Sequence, residues 1–334
     1  MSTAAFIAYA QLATAVLLLG IGLGFGLLGC GGEWLTRGAA GLALRLHINP
    51  VVIGLTIVAM ATSMPELITC LLGAFQGETD LAVGNLIGSN LGNIGLILGV
   101  AALIRPLHLQ ARLIDREMPI LLGATVLFSL FCLGGLQAWE GLLLITGMTY
   151  YLIVTVNSAR TLPLEAKEAL TSETQPSQRS LSTCLALIGI GSVALAVGAD
   201  VLVNTSIIVA QRCGVNAFII GLTLVAIGTS LPELAASIAA ALHKHGDICA
   251  GNILGSNLFN MLFIGGGVTA IVPLPVQPQL FGFEIPAMVA LTMLLWIVFK
   301  FGQRINRWEG AGLLVIYLGV ISWAVYSRLD LTSS

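Results

Sequence analysis

Ten apolar stretches, most of them near the ~20 residues a helix needs to cross the hydrocarbon layer of a bilayer, constrain this chain more than any other feature. They lie at 4–30, 51–75, 81–104, 118–135, 139–156, 181–210, 217–242, 248–272, 285–299 and 310–326. Lipid is therefore the solvent to which the fold must answer. Of the 334 residues, 57% are hydrophobic and 9% charged, against roughly 25% charged in a soluble domain. Hydrocarbon offers no hydrogen bonds to the backbone, so spans must be helices or strands of a closed barrel. The runs lack the alternation of a membrane barrel. The expected fold is an all-α polytopic membrane protein with ten transmembrane helices.

The first basic residue is Arg37, so the first run lacks the positive start of a cleavable signal and reads as a retained span. A net charge of −2 with no dense basic run implies no nucleic-acid partner. The six cysteines stand singly without a C-x-x-C and read as small packing residues. The lipid bilayer is an expected partner; no resident cofactor and no obligatory protein partner is indicated.

With ten spans and an external N-terminus, the cytoplasmic loops fall around 37–47, 105–116, 160–179, 243–246 and 300–307. They hold every Lys and Arg except Arg212 and Arg328, as the positive-inside rule requires. Both termini are then expected outside a prokaryotic cytoplasmic (inner) membrane.

The chain is duplicated. At an offset of 167 residues, I-G-L-T-I-V-A-M-A-T-S-M-P-E-L (53–67) aligns with I-G-L-T-L-V-A-I-G-T-S-L-P-E-L (220–234). The match continues ungapped, pairing Asp80 with Asp247, Asn85 with Asn252, Gly88-Ser89-Asn90-Leu91 with Gly255-Ser256-Asn257-Leu258, and Asn93 with Asn260. Identical polar residues at fixed spacing mark a repeat. Its expected limits are a first five-helix repeat at 1–159, a polar cytoplasmic linker at 160–180 and a second repeat at 181–334. Five spans per half is odd, so the second copy enters from the opposite face. Such inverted repeats place transporter sites near the midplane.

Glu66 and Glu233 stand inside apolar runs, where a carboxylate costs several kcal/mol unless paired or coordinated. No Lys or Arg lies near them in sequence, so a bound cation is the natural counter-charge, and oxygen-rich surroundings suit hard ions such as Na⁺ and Ca²⁺. Thr62 shares a helix face with Glu66 by i, i+4 spacing, and Thr62-Ser63 has its counterpart in Thr229-Ser230. Pro65 and Pro232 deprive the carbonyls of Ala61 and Gly228 of their helical partners, so a kink is expected. Freed carbonyls such as those of Ala59 and Ala226 are candidate ion ligands, as in the broken helices of transporters. In the following spans Ser89 and Asn93, and likewise Ser256 and Asn260, point neutral oxygens to one side.

A-x-x-T-S-x-P-E-L followed by G-N-x-x-G-S-N-x-x-N, present twice, resembles the α-repeats of the calcium/cation antiporter superfamily, particularly its prokaryotic sodium/calcium exchangers. The resemblance implies that Glu66 and Glu233 jointly hold Ca²⁺ with Thr62 and Thr229. It further implies Na⁺ ligation by Ala59, Ser63 and Ser89 in one half and by Ala226, Ser230 and Ser256 in the other. Asn93 and Asn260 would line the centre. Some members of the superfamily carry Asp where this chain has Asn260. Secondary active Na⁺/Ca²⁺ exchange by alternating access is the implied function, with Ca²⁺ and Na⁺ as transported ions rather than cofactors. H⁺/Ca²⁺ or K⁺-coupled antiport is the alternative. An intramembrane hydrolase built on Ser63 or Ser230 would need a general base, and these spans contain no His, so the chain is not expected to be an enzyme.

Overall fold

The computed structural model describes residues 14–159, 180–213 and 228–333; of the 160–180 linker only Ser180 falls among them. Helix α1 is Thr14–Leu46, α2 and α3 are Pro50–Thr62 and Met64–Phe75, α4 is Thr79–Ile104, α5 is Met118–Cys132 and α6 is Ala138–Ala159. The second half contributes α7 (Leu181–Arg212), α8 (Leu231–Leu242), α9 (Gly246–Ile271), α10 (Glu284–Gly302) and α11 (Arg307–Ser333). Six segments are individually long and apolar enough to cross a membrane: α1, α4, α6, α7, α9 and the Pro278–Gly302 segment that ends in α10. The bent pair α2–α3 makes a seventh. Of the other expected spans, α5 has 15 residues, α11 has 27, and the 217–242 run is described only from 228 onward.

One expected loop is absent. Residues 37–46 continue α1, so Arg37 and Arg45 are helical. Arg37 is ion-paired with Glu33 one turn earlier, and Arg45 in the last turn complements the negative end of the helix dipole.

The Pro65 kink is present. Asn49 starts α2 by accepting the Val51 N–H at 2.9 Å, with Pro50 in the first turn, where its missing N–H costs nothing. Thirteen residues after Pro50 the helix breaks at Ser63 (φ −84°, ψ 7°) and α3 leaves at 44° to α2. Ser230 repeats that backbone geometry (φ −88°, ψ 4°) ahead of α8.

The two halves exchange partners. Strand β1 (Leu107–His108) pairs antiparallel with β2 (Arg304–Ile305), while Leu274, the counterpart of Leu107, bridges to Leu136. Gln110 Nε2 donates to Asp247 at 2.6 Å, and its counterpart Gln277 donates to Asp80 at 2.6 Å. Glu117 is fully buried, held by Arg112 at 3.0 Å, Arg116 at 3.8 Å and the Tyr151 hydroxyl at 2.8 Å. Helix-start charge preference alone does not account for it; it anchors α5 to α6.

Helices α1 and α7 pack backbone to backbone at two glycine crossings, Gly31 with Gly191 and Gly24 with Gly198. These too are counterparts at the 167-residue offset. A methyl group on Gly31 would sit 2.9 Å from both the Gly191 carbonyl oxygen and the Leu195 nitrogen, and neither backbone can move aside alone. Gly22 has nothing within 4 Å of that position. Gly31→Ala is therefore expected to destabilise by about 1–3 kcal/mol. Gly22→Ala should be neutral or stabilising by up to about 1 kcal/mol. Thermal unfolding in detergent compares them, and equal midpoints would refute the close crossing.

Candidate cation site

The breaks at Ser63 and Ser230 place Glu66 and Glu233 in the first turns of α3 and α8, at the positive ends of two short helix dipoles. Both carboxyl groups are buried, each residue 1% exposed, and they interact with each other. Residues of each half approach the other half's glutamate: the Ser63 hydroxyl donates to Glu233 Oε1 at 2.9 Å, and Ser230 stands beside Glu66. Thr62 also reaches Glu233. Among the described residues, neither carboxyl group is ion-paired with Lys, Arg or His.

Other neutral polar side chains of the repeat are buried too, Ser89, Asn93, Ser256 and Asn260 among them. Ser89 is 3.5 Å from Ser230. Asn93 Nδ2 donates to Asn257 Oδ1 at 2.9 Å, not to its own counterpart Asn260. Asn93 begins the π-helical turn Asn93–Ile97, and Asn260 lies in another, Phe259–Gly265. Such bulges turn side chains off the regular helical face and recur at functional sites. Among the described residues, Glu66 Oε2, Glu233 Oε2, Asn93 Oδ1, Ser256 Oγ and both polar atoms of Asn260 are buried without a hydrogen-bond partner. Each such atom costs about 1–3 kcal/mol if nothing binds it. Two carboxylates with serine and asparagine oxygens form a donor set for a hard cation.

Ala59 differs from the expectation of a freed carbonyl. Its oxygen accepts the Ser63 N–H at 3.0 Å and is approached by the Thr62 hydroxyl at 3.3 Å, so an ion there would compete with Thr62. Ala226 lies outside the described residues.

A layer behind the site links Asn85 and Asn252 to it. Asn252 Oδ1 accepts from the Thr62 hydroxyl at 3.2 Å while its Nδ2 donates to Ser237 at 3.1 Å. Asn85 does the same for Thr229 at 3.1 Å, with its Nδ2 3.4 Å from the sulfur of Cys70, which occupies the position of Ser237. The repeat alignment exposes the asparagines; nothing in the motif singles out Ser237.

A duplicated Ser-x-Pro-Glu turn that brings two buried carboxyl groups together among apolar, span-length helices marks an integral membrane protein. The family described as sodium/calcium exchanger protein matches residues 16–157 and 183–326, and the chain belongs to it. A putative antiporter, CaxA, of Alkalimonas amylolytica is 38% identical over 291 residues, 84% of this chain and 90% of that protein. The sodium/calcium exchanger MaX1 of Methanosarcina acetivorans is 32% identical over 87% of this chain and 93% of its own. The inner membrane protein YrbG of Escherichia coli is 31% identical over 93% of this chain and 97% of its own. A solved structure of the sodium-calcium exchanger NCX_Mj, soaked with zero Na⁺ and Ca²⁺, superimposes with a TM-score of 0.82 at 28% identity, covering 93% of this chain and 100% of that one.

Asn252→Leu removes the partner shared by Thr62 and Ser237; Thr62 keeps the Val58 carbonyl at 3.1 Å, so a loss of about 1–3 kcal/mol is expected. Cys70→Ser installs the residue that the other half already uses and should change stability by less than about 1.5 kcal/mol. Thermal unfolding of the two variants distinguishes them; an Asn252→Leu protein as stable as the parent would refute the supporting role.

Proposed function

We propose that the chain is a secondary active cation antiporter that exchanges Na⁺ for Ca²⁺ by alternating access at the Glu66–Glu233 site. The observation that carries this reading is the meeting of two buried carboxyl groups, one from each half, with no ion-paired cationic side chain and with unpartnered oxygens of their own among the described residues. One Ca²⁺ balances two carboxylates, and Na⁺ entering the same oxygens displaces it. In this reading Glu66, Glu233, Thr62 and Thr229 hold Ca²⁺. Ser63, Ser89 and Ala59, with Ser230, Ser256 and Ala226, serve Na⁺, and Asn93 and Asn260 line the centre. Family membership and the names of MaX1 and NCX_Mj as sodium/calcium exchangers support it.

The architecture that goes with this function is ten spans in two inverted five-helix repeats, with both termini outside a prokaryotic cytoplasmic membrane. Partner exchange supports it, because Gln110–Asp247 with Gln277–Asp80, and Gly31–Gly191 with Gly198–Gly24, are what a two-fold relation between the halves generates. The glycine crossings hold α1 and α7 in backbone contact, so that in this reading the pair moves as one body.

The contact between the carboxyl groups favours a second reading as well, H⁺/Ca²⁺ or K⁺-coupled antiport, since protons neutralise a carboxyl pair as a divalent ion does. Uptake of ⁴⁵Ca²⁺ into reconstituted vesicles under separately imposed Na⁺, K⁺ and H⁺ gradients decides between them. A Na⁺ gradient at fixed pH is expected to drive uptake. Removal of one charged ligand, worth about 1.5–3 kcal/mol, should make Glu66→Gln or Glu233→Gln about 10–100-fold slower. Uptake at the parental rate in either variant would sink the site assignment, and uptake driven by a proton gradient alone would replace Na⁺ as the coupling ion.

A further inference from the structure

A cavity of about 770 Å³, lined by none of the candidate site residues, opens between the last turns of α1, the start of α2, the 105–110 segment and the turn joining α8 to α9. Its size lies within the ~300–1,000 Å³ typical of small-molecule pockets. Its lining is basic: Arg105, His108, His243, Lys244 and His245 face one carboxylate, Asp247. A shallower depression of about 460 Å³ shares Arg105 and His108 and adds Arg307 and the exposed Leu242.

The acidic groups nearby are already engaged. Asp247 accepts from Gln110 at 2.6 Å. Glu33, on α1, binds Arg37 and stands 3.7 Å from His243. Among the described residues, Arg105 and Lys244 form no ion pair. Lys244 also holds a left-handed backbone (φ 65°), a conformation that costs an L side chain and that glycine adopts freely. Burial first, and the neighbouring His243 second, push the His245 imidazole below its ordinary value, so Arg105 and Lys244 supply the fixed charge of the lining at neutral pH.

A guanidinium and an ammonium facing one cavity, unopposed by ion pairing, repel the transported cations and suit an anion with several oxygens. We propose that this cavity binds a phosphate-bearing anion between Arg105 and Lys244. A lipid headgroup and a soluble phosphate share that chemistry; basic pockets on the side of the basic loops accept headgroups, and Leu242 beside Arg307 offers an apolar surface to a chain leaving the pocket.

The proposal does not depend on the coupling ion or on transport, and the test reads binding through stability. The full chain is placed in nanodiscs of phosphatidylcholine, and its unfolding midpoint is measured alone, with phosphatidylglycerol mixed in, or with inorganic phosphate added at constant ionic strength. A rise of several degrees is expected with one of the additions, which phosphatidylglycerol alone would assign to a headgroup and inorganic phosphate alone to a soluble ligand. Arg105→Gln combined with Lys244→Gln should abolish the rise, whereas Arg304→Gln, an exposed cation that does not line the cavity, should keep it. Lys244→Gly relieves the left-handed backbone, so it should raise the midpoint in phosphatidylcholine alone while shrinking the ligand-dependent rise; it decides the matter if the double variant fails to fold. No rise with either addition overturns the proposal. So does a rise that survives in the double variant or in Lys244→Gly, or one lost equally in Arg304→Gln.

Discussion

The mutual burial of Glu66 and Glu233 sets the terms for everything around it. In a chain whose solvent is hydrocarbon, two carboxyl groups in contact repel each other and lose their hydration, and the structure must offer compensation from several directions at once. It does so with broken helices that aim their positive ends at the pair, with hydroxyls from opposite halves, and with asparagines that hold those hydroxyls in place. The helix breaks are thus a requirement of the site, because an unbroken helix has neither a free positive end nor a bend at midspan. The proline two residues after each breaking serine supplies the local cause.

Close packing is the other half of the same demand. The site oxygens converge only if the helices bearing them approach within backbone contact, and the sequence answers with glycine where chains cross. Gly54 and Gly251 let α2 lie against α9, and a methyl group on either would meet the other helix's backbone at 2.7 Å. Such contacts rely on dispersion and on small residues, since apolar side chains gain little by leaving lipid for one another.

Much of this was legible in the sequence. The repeated T-S-x-P-E-L element named the carboxylates, located the bend and showed that the two copies are equivalent, because polar residues in apolar runs stand out and an internal duplication does the work of a comparison. Membrane character followed from run length. What was not legible depends on three-dimensional neighbours. The end of α1 was misplaced because Arg37 and Arg45 look like loop residues until the helix is seen to carry them past the apolar run. Asn93 and Asn260 were expected to line the centre; that Asn93 donates to Asn257 across the halves, from a π-helical turn, is something no periodicity announces. Ser237 and Cys70 behind the site, and the burial of Glu117 against two arginines and a tyrosine, are likewise set by which helices touch.

The exchange of partners between halves has a consequence for how the molecule is made. Thr62 finds Asn252, Ser63 finds Glu233, Asp80 finds Gln277 and Leu136 finds Leu274; each early residue waits for one more than a hundred positions later. When the ribosome has delivered only the first half, these four residues lack their partners, and the nascent bundle must leave the polar ones wet, bonded to their own helices or held by insertion machinery. Assembly of the centre is therefore a late event of biosynthesis, completed when the second copy arrives. Fusion of the two copies into one polypeptide guarantees that it arrives beside its mate.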